Sequence, residues 1–391
     1  MSTPSQAEVR RMIAAAGTIV VKVGSSSLTQ PSGHLDPDKL DALAAALAQV
    51  RLMGGRVVLV SSGAIAAGFG PLGFDSRPVD VATQQATAAV GQGLLMARYE
   101  TAFGRFGIRV GQILITAEDT IRATQYRNVE RTLDRLLDLG VVPIINENDS
   151  LASNEIRFGD NDRLSALVAN LVRAEALVLL TDVDALYTAP PSQPGSRRVE
   201  YVPNVIDALG DIQVSGSGSK VGTGGMVTKL EAARVAAVSG IPTVLTCASN
   251  AGPAMMGDPV GTVFAPVKAR GSSRRLWIGF SPPPPRPIVG TGGFAADPRG
   301  TIVVDAGAGQ AIRGGRASLL AAGALEVHGD FSAGDPVWID AESGEHLARG
   351  LAGFDSEEIP QMLGRNTAQL KRFLGPQYAH PLVHRDNLVL V

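Results

Sequence analysis

The chain has 391 residues, a net charge of −2 at pH 7 and a hydrophobic fraction of 45%. The length is about twice that of an ordinary domain, so we expect two domains. The apolar fraction excludes a largely disordered chain, and the small net charge does not favour a general nucleic-acid-binding surface. The single cysteine, Cys247, excludes an intramolecular disulfide and suits a reducing cytoplasm. Because no run of about 18 uncharged apolar residues occurs, we expect no membrane span.

Strands and helices alternate from Thr18 to about Ala248. Six β-branched runs predict strands: TIVVKV, RVVLV, RVGQILI, VVPIIN, ALVLLT and TVLTCA. Asp36 and Pro37 mark the start of one helix, and others are predicted within SSGAIAAG and over residues 120–139, 163–173 and 226–239. The alternation predicts right-handed crossovers and a mainly parallel sheet with helices on both faces. Ligands of such sheets bind beyond the carboxyl ends of the strands.

The last third of the chain has a different character. SPPPPRP, residues 281–287, predicts an extended spacer. After it, GTIVV, ALEVHG, DPVWID and EHLARGLAGF predict short strands, so this tail reads as all-β. From Arg286 onward nine lysine and arginine residues stand against twelve aspartate and glutamate residues, a net charge of −3. TIVVDAGAGQAI resembles a dinucleotide fingerprint, but Ile312 replaces its third glycine and no βαβ unit is predicted to follow.

A glycine-rich loop, VGTGGMVTKLEAA, precedes one predicted helix. Gly222, Gly224 and Gly225 remove side chains where the backbone must approach a ligand closely, and the helix start offers free N–H groups to an anion. Lys229, one turn into the helix, can reach back to that anion. The order Thr228-Lys229 does not fit the Walker pattern, so we expect a phosphate loop of another kind. A flexible linker with a surface lysine is the alternative.

Two further strand ends carry polar residues. Lys22 lies in an apolar strand and is followed by Gly24 and serines. This setting favours a lysine that binds phosphate over one that faces solvent. In SSGAIAAG, Ser62 and the amides of Gly63 and Ala64 could hold a small carboxylate at a helix start. The alternative for Ser62 is a simple N-cap.

Acidic and amide side chains crowd NENDS and FGDND, near the end of another buried strand. These carboxylates could bind an ammonium group, orient the lysines or hold Mg²⁺ through water, although such clusters are often only turns and caps. The same strand edge includes Thr181 and Asp182, with Tyr187 shortly after them. The carboxylates concerned are Glu147, Asp149, Asp160 and Asp162.

None of these segments contains a histidine. An alcohol nucleophile would want a general base, whereas a glutamate side chain, with a pKa of about 4.3, is already ionised at pH 7. Phosphoryl transfer depends more on positioning and charge neutralisation than on proton transfer. Lysines, glycine amides and Mg²⁺ without histidine therefore suit a kinase acting on a carboxylate.

Six motifs in order carry a resemblance to a known family: VVKVGSSSL, VSSGAIAAG, VVPIINENDS, GDNDRLSALVA, LLTDVDALYT and GTGGMVTK. Together they resemble the glutamate 5-kinase branch of the amino-acid kinase family, over residues 18 to about 280. VHGDFSAGDPVWI resembles a PUA domain. The resemblance implies a three-layer αβα fold with a mainly parallel sheet, followed by a small β-barrel-like domain. We expect an N-terminal extension (1–16), a kinase domain (17–280), a linker (281–295), a PUA domain (296–375) and a C-terminal tail (376–391).

The resemblance also implies roles for individual residues. Lys22, Lys229 and Asp162 are expected to be catalytic, with Asp162 orienting the two lysines. No residue is assigned as a metal ligand. The expected ATP-binding residues are Lys22, Gly24, Thr181, Asp182, Thr223, Gly224, Gly225, Met226, Val227, Thr228 and Lys229. The expected substrate-binding residues are Ser62, Gly63, Ala64, Asp149 and Asn161. Two departures are small: Ser61 stands where threonine is common, and Val227 where serine is common.

The implied reaction is phosphorylation of the L-glutamate side chain by ATP with Mg²⁺, with L-proline as a feedback inhibitor. The resemblance further implies a cytoplasmic dimer or tetramer that could pass its product to glutamyl phosphate reductase. Acetylglutamate kinase and aspartokinase are the nearest alternatives. Acetylglutamate has no ammonium group for Asp149, and aspartokinase tails repeat βα patterns. RNA binding by the PUA domain is the alternative from another class, which the tail's negative charge does not favour.

Overall fold

A computed structural model describes residues 3–30, 32–74, 78–116, 123–149, 161–189, 191–205, 225–267, 286–287, 294–295, 300–314 and 317–390. The chain divides into two compact units, one drawn mainly from residues before 272 and the other mainly from residues after it. Each unit has its own sheet and its own buried apolar cluster. Among the described residues, no helix is long and apolar enough to cross a membrane.

The first unit is built on an eight-stranded sheet in the order β3-β4-β2-β1-β5-β9-β10-β8. Its neighbouring strands are parallel, except that β10 runs antiparallel to β9. A small hairpin, Leu186–Tyr187 (β6) with Arg198–Val199 (β7), stands apart from it. The sheet strands are β1 Thr18–Val23, β2 Arg56–Ser61, β3 Val110–Ile115, β4 Val142–Glu147, β5 Ala176–Thr181, β8 Tyr201–Val202, β9 Thr243–Cys247 and β10 Thr262–Phe264. The predicted mainly parallel sheet is therefore confirmed.

Eight helices of this unit lie within the described residues. They are α1 Gln6–Ala14, α2 Pro37–Leu52, α3 Ala64–Phe69, α4 Val81–Gly104, α5 Ala123–Asp138, α6 Asn161–Leu171, α7 Met226–Val238 and α8 Ala251–Met255. Side chains alternate between the faces of a strand, so Val21 and Val23 of β1 join the apolar cluster formed with α2 and α4. Val20 and Lys22 point to the opposite face, where α6 contacts β1. Helices thus cover both faces, which gives the three-layer αβα arrangement.

The segment predicted as an N-terminal extension belongs to the packed structure of this unit. Val9 and Ile13 of α1 are buried in its apolar cluster. Arg10 donates to the carbonyl oxygens of Asp258 and Val260, at 2.5 and 2.9 Å. Burial lowers the pKa of the Arg10 guanidinium. The amphipathic start of the chain therefore docks as a helix.

Two glycines let α3 and α4 cross at very short range. A Cβ atom at Gly91 of α4 would collide with the carbonyl oxygen of Ala64, and one at Gly68 of α3 would collide with the carbonyl oxygen of Thr87. Since Ala64 is the first residue of α3, this crossing fixes the start of that helix beside Ser62.

The second unit contains a five-stranded sheet in the order β14-β13-β15-β16-β17. Its strands are β13 Gly300–Val304, β14 Ala324–Gly329, β15 Pro336–Ala341, β16 His346–Leu351 and β17 Leu388–Leu390. A separate hairpin, Arg286–Pro287 (β11) with Phe294–Ala295 (β12), lies in the predicted linker. The strand β17 comes from the residues expected to form a C-terminal tail, and Leu388 is buried in this unit's apolar cluster. The exact domain bounds stay predictions.

The all-β reading of this unit was wrong, because two helices accompany its strands within the described residues. They are α9 Ala306–Arg313 and α10 Thr367–Phe373. Asp305 caps α9 by accepting a hydrogen bond from the backbone N–H of Ala308 at 2.7 Å. The small residues of AGAGQ have little periodic pattern, so only this cap signals the helix in the sequence. Asn366 caps α10 in a capping box with Gln369.

Candidate active site

Lys22, Asp162 and Lys229 form a buried ion-pair triad in the first unit. Lys22 Nζ lies 2.5 Å from Asp162 Oδ1, and Lys229 Nζ lies 3.1 Å from Asp162 Oδ2. The Thr228 hydroxyl donates to Asp162 Oδ2 at 2.8 Å and lies 2.8 Å from the Gly225 carbonyl oxygen. Asp162 is fully buried, and the two lysines are 2% and 6% exposed. One carboxylate therefore holds two ammonium groups in place.

Three secondary-structure elements bring the triad together. Lys22 is the second-last residue of β1, Asp162 is the second residue of α6, and Lys229 lies in the first turn of α7. Gly24 lies just beyond the end of β1, next to the lysine: a Cβ atom added there would be in ordinary van der Waals contact with Lys22 Nζ, at 3.6 Å. Gly225 precedes α7 with an extended backbone and no side chain. The triad thus lies at the carboxyl edge of the sheet, where ligands of parallel sheets bind.

The charge of this cluster favours an anion. Two ammonium groups share one carboxylate in a region with little solvent. The amino-terminal end of α7 adds backbone N–H groups and the positive end of a helix dipole. Two buried ammonium groups this close together attract an anionic ligand, because its negative charge would interact favourably with both. The arrangement is suited to bind phosphate groups.

A second polar cluster begins at the residue next to Asp162. The Asn161 side-chain amide donates toward three oxygens: the Ser61 carbonyl at 3.0 Å, Ser62 Oγ at 2.9 Å and Asn146 Oδ1 at 2.9 Å. Asn161 Oδ1 is buried and has no hydrogen-bond partner among the described residues. It is therefore an acceptor suited to a donor group of a ligand. Gly63, with φ +106, then turns the chain from Ser62 into α3.

Residues that the sequence did not single out support this second cluster from behind. Asn146 Nδ2 donates to Gln92 Oε1 at 2.9 Å, and Ser61 Oγ lies 2.8 Å from the Tyr99 hydroxyl. Tyr99 is fully buried, and burial raises the pKa of its phenol. Gln92 and Tyr99 are seven residues apart on α4, which puts them on one face of the helix. The sequence signal that could have identified Gln92 and Tyr99 was their polar side chains within a largely apolar helix.

The remaining predicted residues lie in several places. Thr181 ends β5, and its hydroxyl donates to Asp182 Oδ1 at 2.9 Å. Tyr187 donates to Asp184 Oδ1 at 2.9 Å, and that hydrogen bond raises the pKa of the Tyr187 phenol. Asp149 follows β4 and is half-buried. Met226 and Val227 open α7. The predicted residues Thr223, Gly224 and Asp160 lie outside the described residues.

Comparison with known proteins identifies the family. Residues 17–247 match the amino acid kinase family, and residues 300–374 match the PUA domain. The chain belongs to the amino acid kinase family, with a PUA domain after the kinase unit.

Three relatives in that family are named glutamate 5-kinase. The chain is 96% identical to the glutamate 5-kinase of Bifidobacterium longum strain DJO10A and 78% identical to that of Bifidobacterium adolescentis, each over the full length of both chains. It is 52% identical to the glutamate 5-kinase of Thermobifida fusca, over 98% of this chain and 96% of the relative. Kinases of this family use ATP as the phosphoryl donor.

Proposed function

We propose that the chain phosphorylates the side-chain carboxylate of L-glutamate with ATP to give L-glutamyl 5-phosphate and ADP. The observation that carries this proposal is the buried Lys22–Asp162–Lys229 triad beside the Asn161–Ser62 cluster. The triad suits an anionic phosphoryl donor. The Asn161–Ser62 cluster, which starts at the residue next to Asp162, suits a small polar phosphoryl acceptor. The full-length similarity to proteins named glutamate 5-kinase supports glutamate as that acceptor.

The chemistry needs no general base. A carboxylate oxygen of glutamate attacks the γ-phosphorus, the bond from that phosphorus to the β,γ-bridging oxygen breaks, and ADP leaves with the electron pair. Because the nucleophile is already ionised at neutral pH, catalysis consists of alignment and charge neutralisation. Lys22 and Lys229 would neutralise charge on the transferring phosphoryl group and the leaving oxygen. Asp162 would hold both lysines in position before substrates arrive.

The nucleotide and the metal follow from the same arrangement. The segment from Thr223 to Lys229 would wrap the phosphates, with Gly24 giving close access and Thr181 and Asp182 contacting the nucleotide. Mg²⁺ usually keeps several waters and binds substrate phosphates with one or two carboxylates. Mg²⁺ would accordingly be held chiefly by the phosphates of ATP.

On the acceptor side, Ser62 with the backbone of Gly63 and Ala64 would hold the substrate carboxylate. Asp149 would take the ammonium group, and Asn161 would bind the substrate through its free oxygen. An N-acetylated substrate has no ammonium group for Asp149, so we favour glutamate over acetylglutamate. Aspartate is shorter by one methylene and would leave the carboxylate farther from the triad.

Four further properties belong to this proposal. L-Proline would inhibit by competing near the segment that includes Asn146, Asp149 and Asn161. The chain would act as a dimer or tetramer in the cytoplasm. Its acyl phosphate product is hydrolytically unstable, so an enzyme that reduces acyl phosphates, glutamyl phosphate reductase, would consume it. A proline titration that leaves the rate unchanged would refute the inhibition.

The test is formation of γ-glutamyl hydroxamate from ATP, Mg²⁺ and hydroxylamine, with L-glutamate and N-acetyl-L-glutamate in parallel. Wild-type protein should give hydroxamate from glutamate alone, and Lys229→Ala should lower kcat by at least about 100-fold. The matched control is Lys371→Ala, which replaces an exposed lysine on α10 and should keep full activity. Activity with only the acetylated substrate, or with neither, would contradict the proposed function.

A further inference from the structure

Gln92 belongs to a chain of side-chain amides that leads to the Asn161–Ser62 cluster. This cluster, where the phosphoryl acceptor is proposed to bind, is called the acceptor cluster below. It lies on α4, half-buried, and its Oε1 accepts a hydrogen bond from Asn146 Nδ2 at 2.9 Å. Asn146 Oδ1 in turn accepts from Asn161 Nδ2 at 2.9 Å. Asn161 Nδ2 also reaches Ser62 Oγ. Three amides therefore connect helix α4 to Ser62 at the start of α3.

The orientation of each asparagine amide is fixed by a backbone group that has only one hydrogen-bonding role. The Glu147 backbone N–H can only donate, and it donates to Asn146 Oδ1 at 2.9 Å. The Ser61 carbonyl can only accept, and it accepts from Asn161 Nδ2 at 3.0 Å. The oxygen and nitrogen positions of both side chains are thus set by these partners. It follows that Asn146 presents N–H groups toward α4.

That N–H group needs an acceptor, because Asn146 is only 3% exposed. Gln92 Oε1 is the acceptor that the structure provides. A buried donor without a partner is costly, so loss of Gln92 would favour rotation of Asn146 away from its present position. Rotation would withdraw Asn146 Oδ1 from Asn161 Nδ2 and leave the Asn161 amide with its hydrogen bonds to Ser61 and Ser62 alone. The oxygen that Asn161 offers to a ligand would then be held in its direction by fewer hydrogen bonds.

We propose that Gln92 is a positioning residue for acceptor binding, acting through Asn146 on Asn161. The inference rests on the proposed function, since it assumes that glutamate binds at the Asn161–Ser62 cluster. Gln92 is not assigned a contact with the substrate. On the same face of α4, Tyr99 hydrogen-bonds Ser61 of β2, and Gln92 hydrogen-bonds Asn146 of β4. Helix α4 therefore supports both strands at this edge of the sheet.

The test compares two variants of matched size. Gln92→Met removes the acceptor but keeps the volume, and we expect the KM for L-glutamate to rise about tenfold, the effect of losing one buried hydrogen bond. The KM for ATP should stay within about twofold, because the lysine triad is not in this amide chain. Gln84→Met, two turns earlier on α4, is the control. It removes hydrogen bonds to Pro78 and Val79 and should leave the glutamate KM unchanged.

Two more variants separate positioning from a general loss of structure. Gln92→Glu keeps an accepting oxygen, so its glutamate KM should stay closer to wild type than that of Gln92→Met. In an Asn146→Ala background, Gln92→Met should add less than about twofold, because its effect passes through Asn146. Equal losses in the two Gln92 variants, additive effects with Asn146→Ala, or an unchanged KM in Gln92→Met would each overturn the inference. Wild-type protein inactive on glutamate would instead overturn the proposed function.

Discussion

Asp162 is the residue on which the charge balance of the candidate active site depends. It accepts from two ammonium groups and one hydroxyl, and no part of it reaches solvent. Without the carboxylate, Lys22 and Lys229 would be two like charges with little water around them. Such a pair is far less stable than either lysine paired, so we expect Asp162 to matter to folding and, under the proposed function, to catalysis.

Replacing Asp162 should therefore lower stability and activity together. We expect Asp162→Ala to reduce the unfolding free energy of the kinase unit by about 3–5 kcal/mol, since it leaves buried charges without their partner. Adding Lys22→Met should recover part of that stability, but no activity. Urea unfolding and the hydroxamate assay measure the two effects.

The control for this series is Asp138→Ala. Asp138 pairs with Arg56 at 2.8 Å, but both side chains are about half exposed. An exposed ion pair contributes about 0–1 kcal/mol, so this variant should unfold almost as wild type does. Equal destabilisation by Asp138→Ala and Asp162→Ala would show that burial of the triad has no special weight.

Residue types at strand ends made part of the site predictable. Lys22, Asp162 and Lys229 stand out because lysine and aspartate are rare in buried segments unless they have partners. Gln92 and Asn146 could not be paired in advance, since their contact depends on how α4 lies over β4. The amide orientation of Asn161 likewise follows from a carbonyl of Ser61, a hundred residues earlier in the chain.

At the scale of elements, the crossing of α3 and α4 determines where the acceptor cluster lies. Gly68 and Gly91 bring the two helix backbones into contact, and Ala64 at the start of α3 is one of the groups touched. Strand and helix positions were predictable from periodicity, whereas this interaxial distance was not. A glycine in a helix reads only as a weak helix former until its neighbour is known.

Two glycines of α4 offer a matched pair of substitutions. Gly91→Ala should destabilise the protein by about 1–3 kcal/mol and raise the glutamate KM, because the new methyl group pushes α3 away from α4. Gly93→Ala meets no atom within 4 Å and should stabilise by about 0.5–1 kcal/mol, because alanine is the better helix former. Thermal unfolding and substrate titration check both. Similar effects of the two substitutions would refute the close crossing.

For the whole molecule, charge distribution limits the possible partners of the PUA domain. The chain as a whole has a net charge of −2, and the part from Arg286 onward has −3. Binding to a nucleic-acid backbone depends on lysine and arginine neutralising phosphates. The part from Arg286 onward has an excess of acidic groups instead, so a general RNA-binding role is not expected.

We expect the full-length protein to show no saturable binding of bulk cellular RNA at physiological salt in a filter-binding assay. Its retention of RNA should match that of an unrelated acidic protein of similar size at concentrations up to about 10 μM, near the range of ordinary non-specific binding. Saturable binding that weakens steeply as salt is raised would contradict this expectation and assign the PUA domain an electrostatic RNA surface.

Asn161 and Asp162 are consecutive residues, and one belongs to the acceptor cluster while the other belongs to the lysine triad. Their Cα atoms are separated by one trans peptide unit, about 3.8 Å, a length that does not change when the protein moves. A rigid shift of α6 therefore moves Asn161 and Asp162 together and preserves the distance between them. Motion of this helix would therefore weaken the affinity for both substrates in parallel. The distance over which the phosphoryl group is transferred would stay nearly constant, because the covalent backbone sets it.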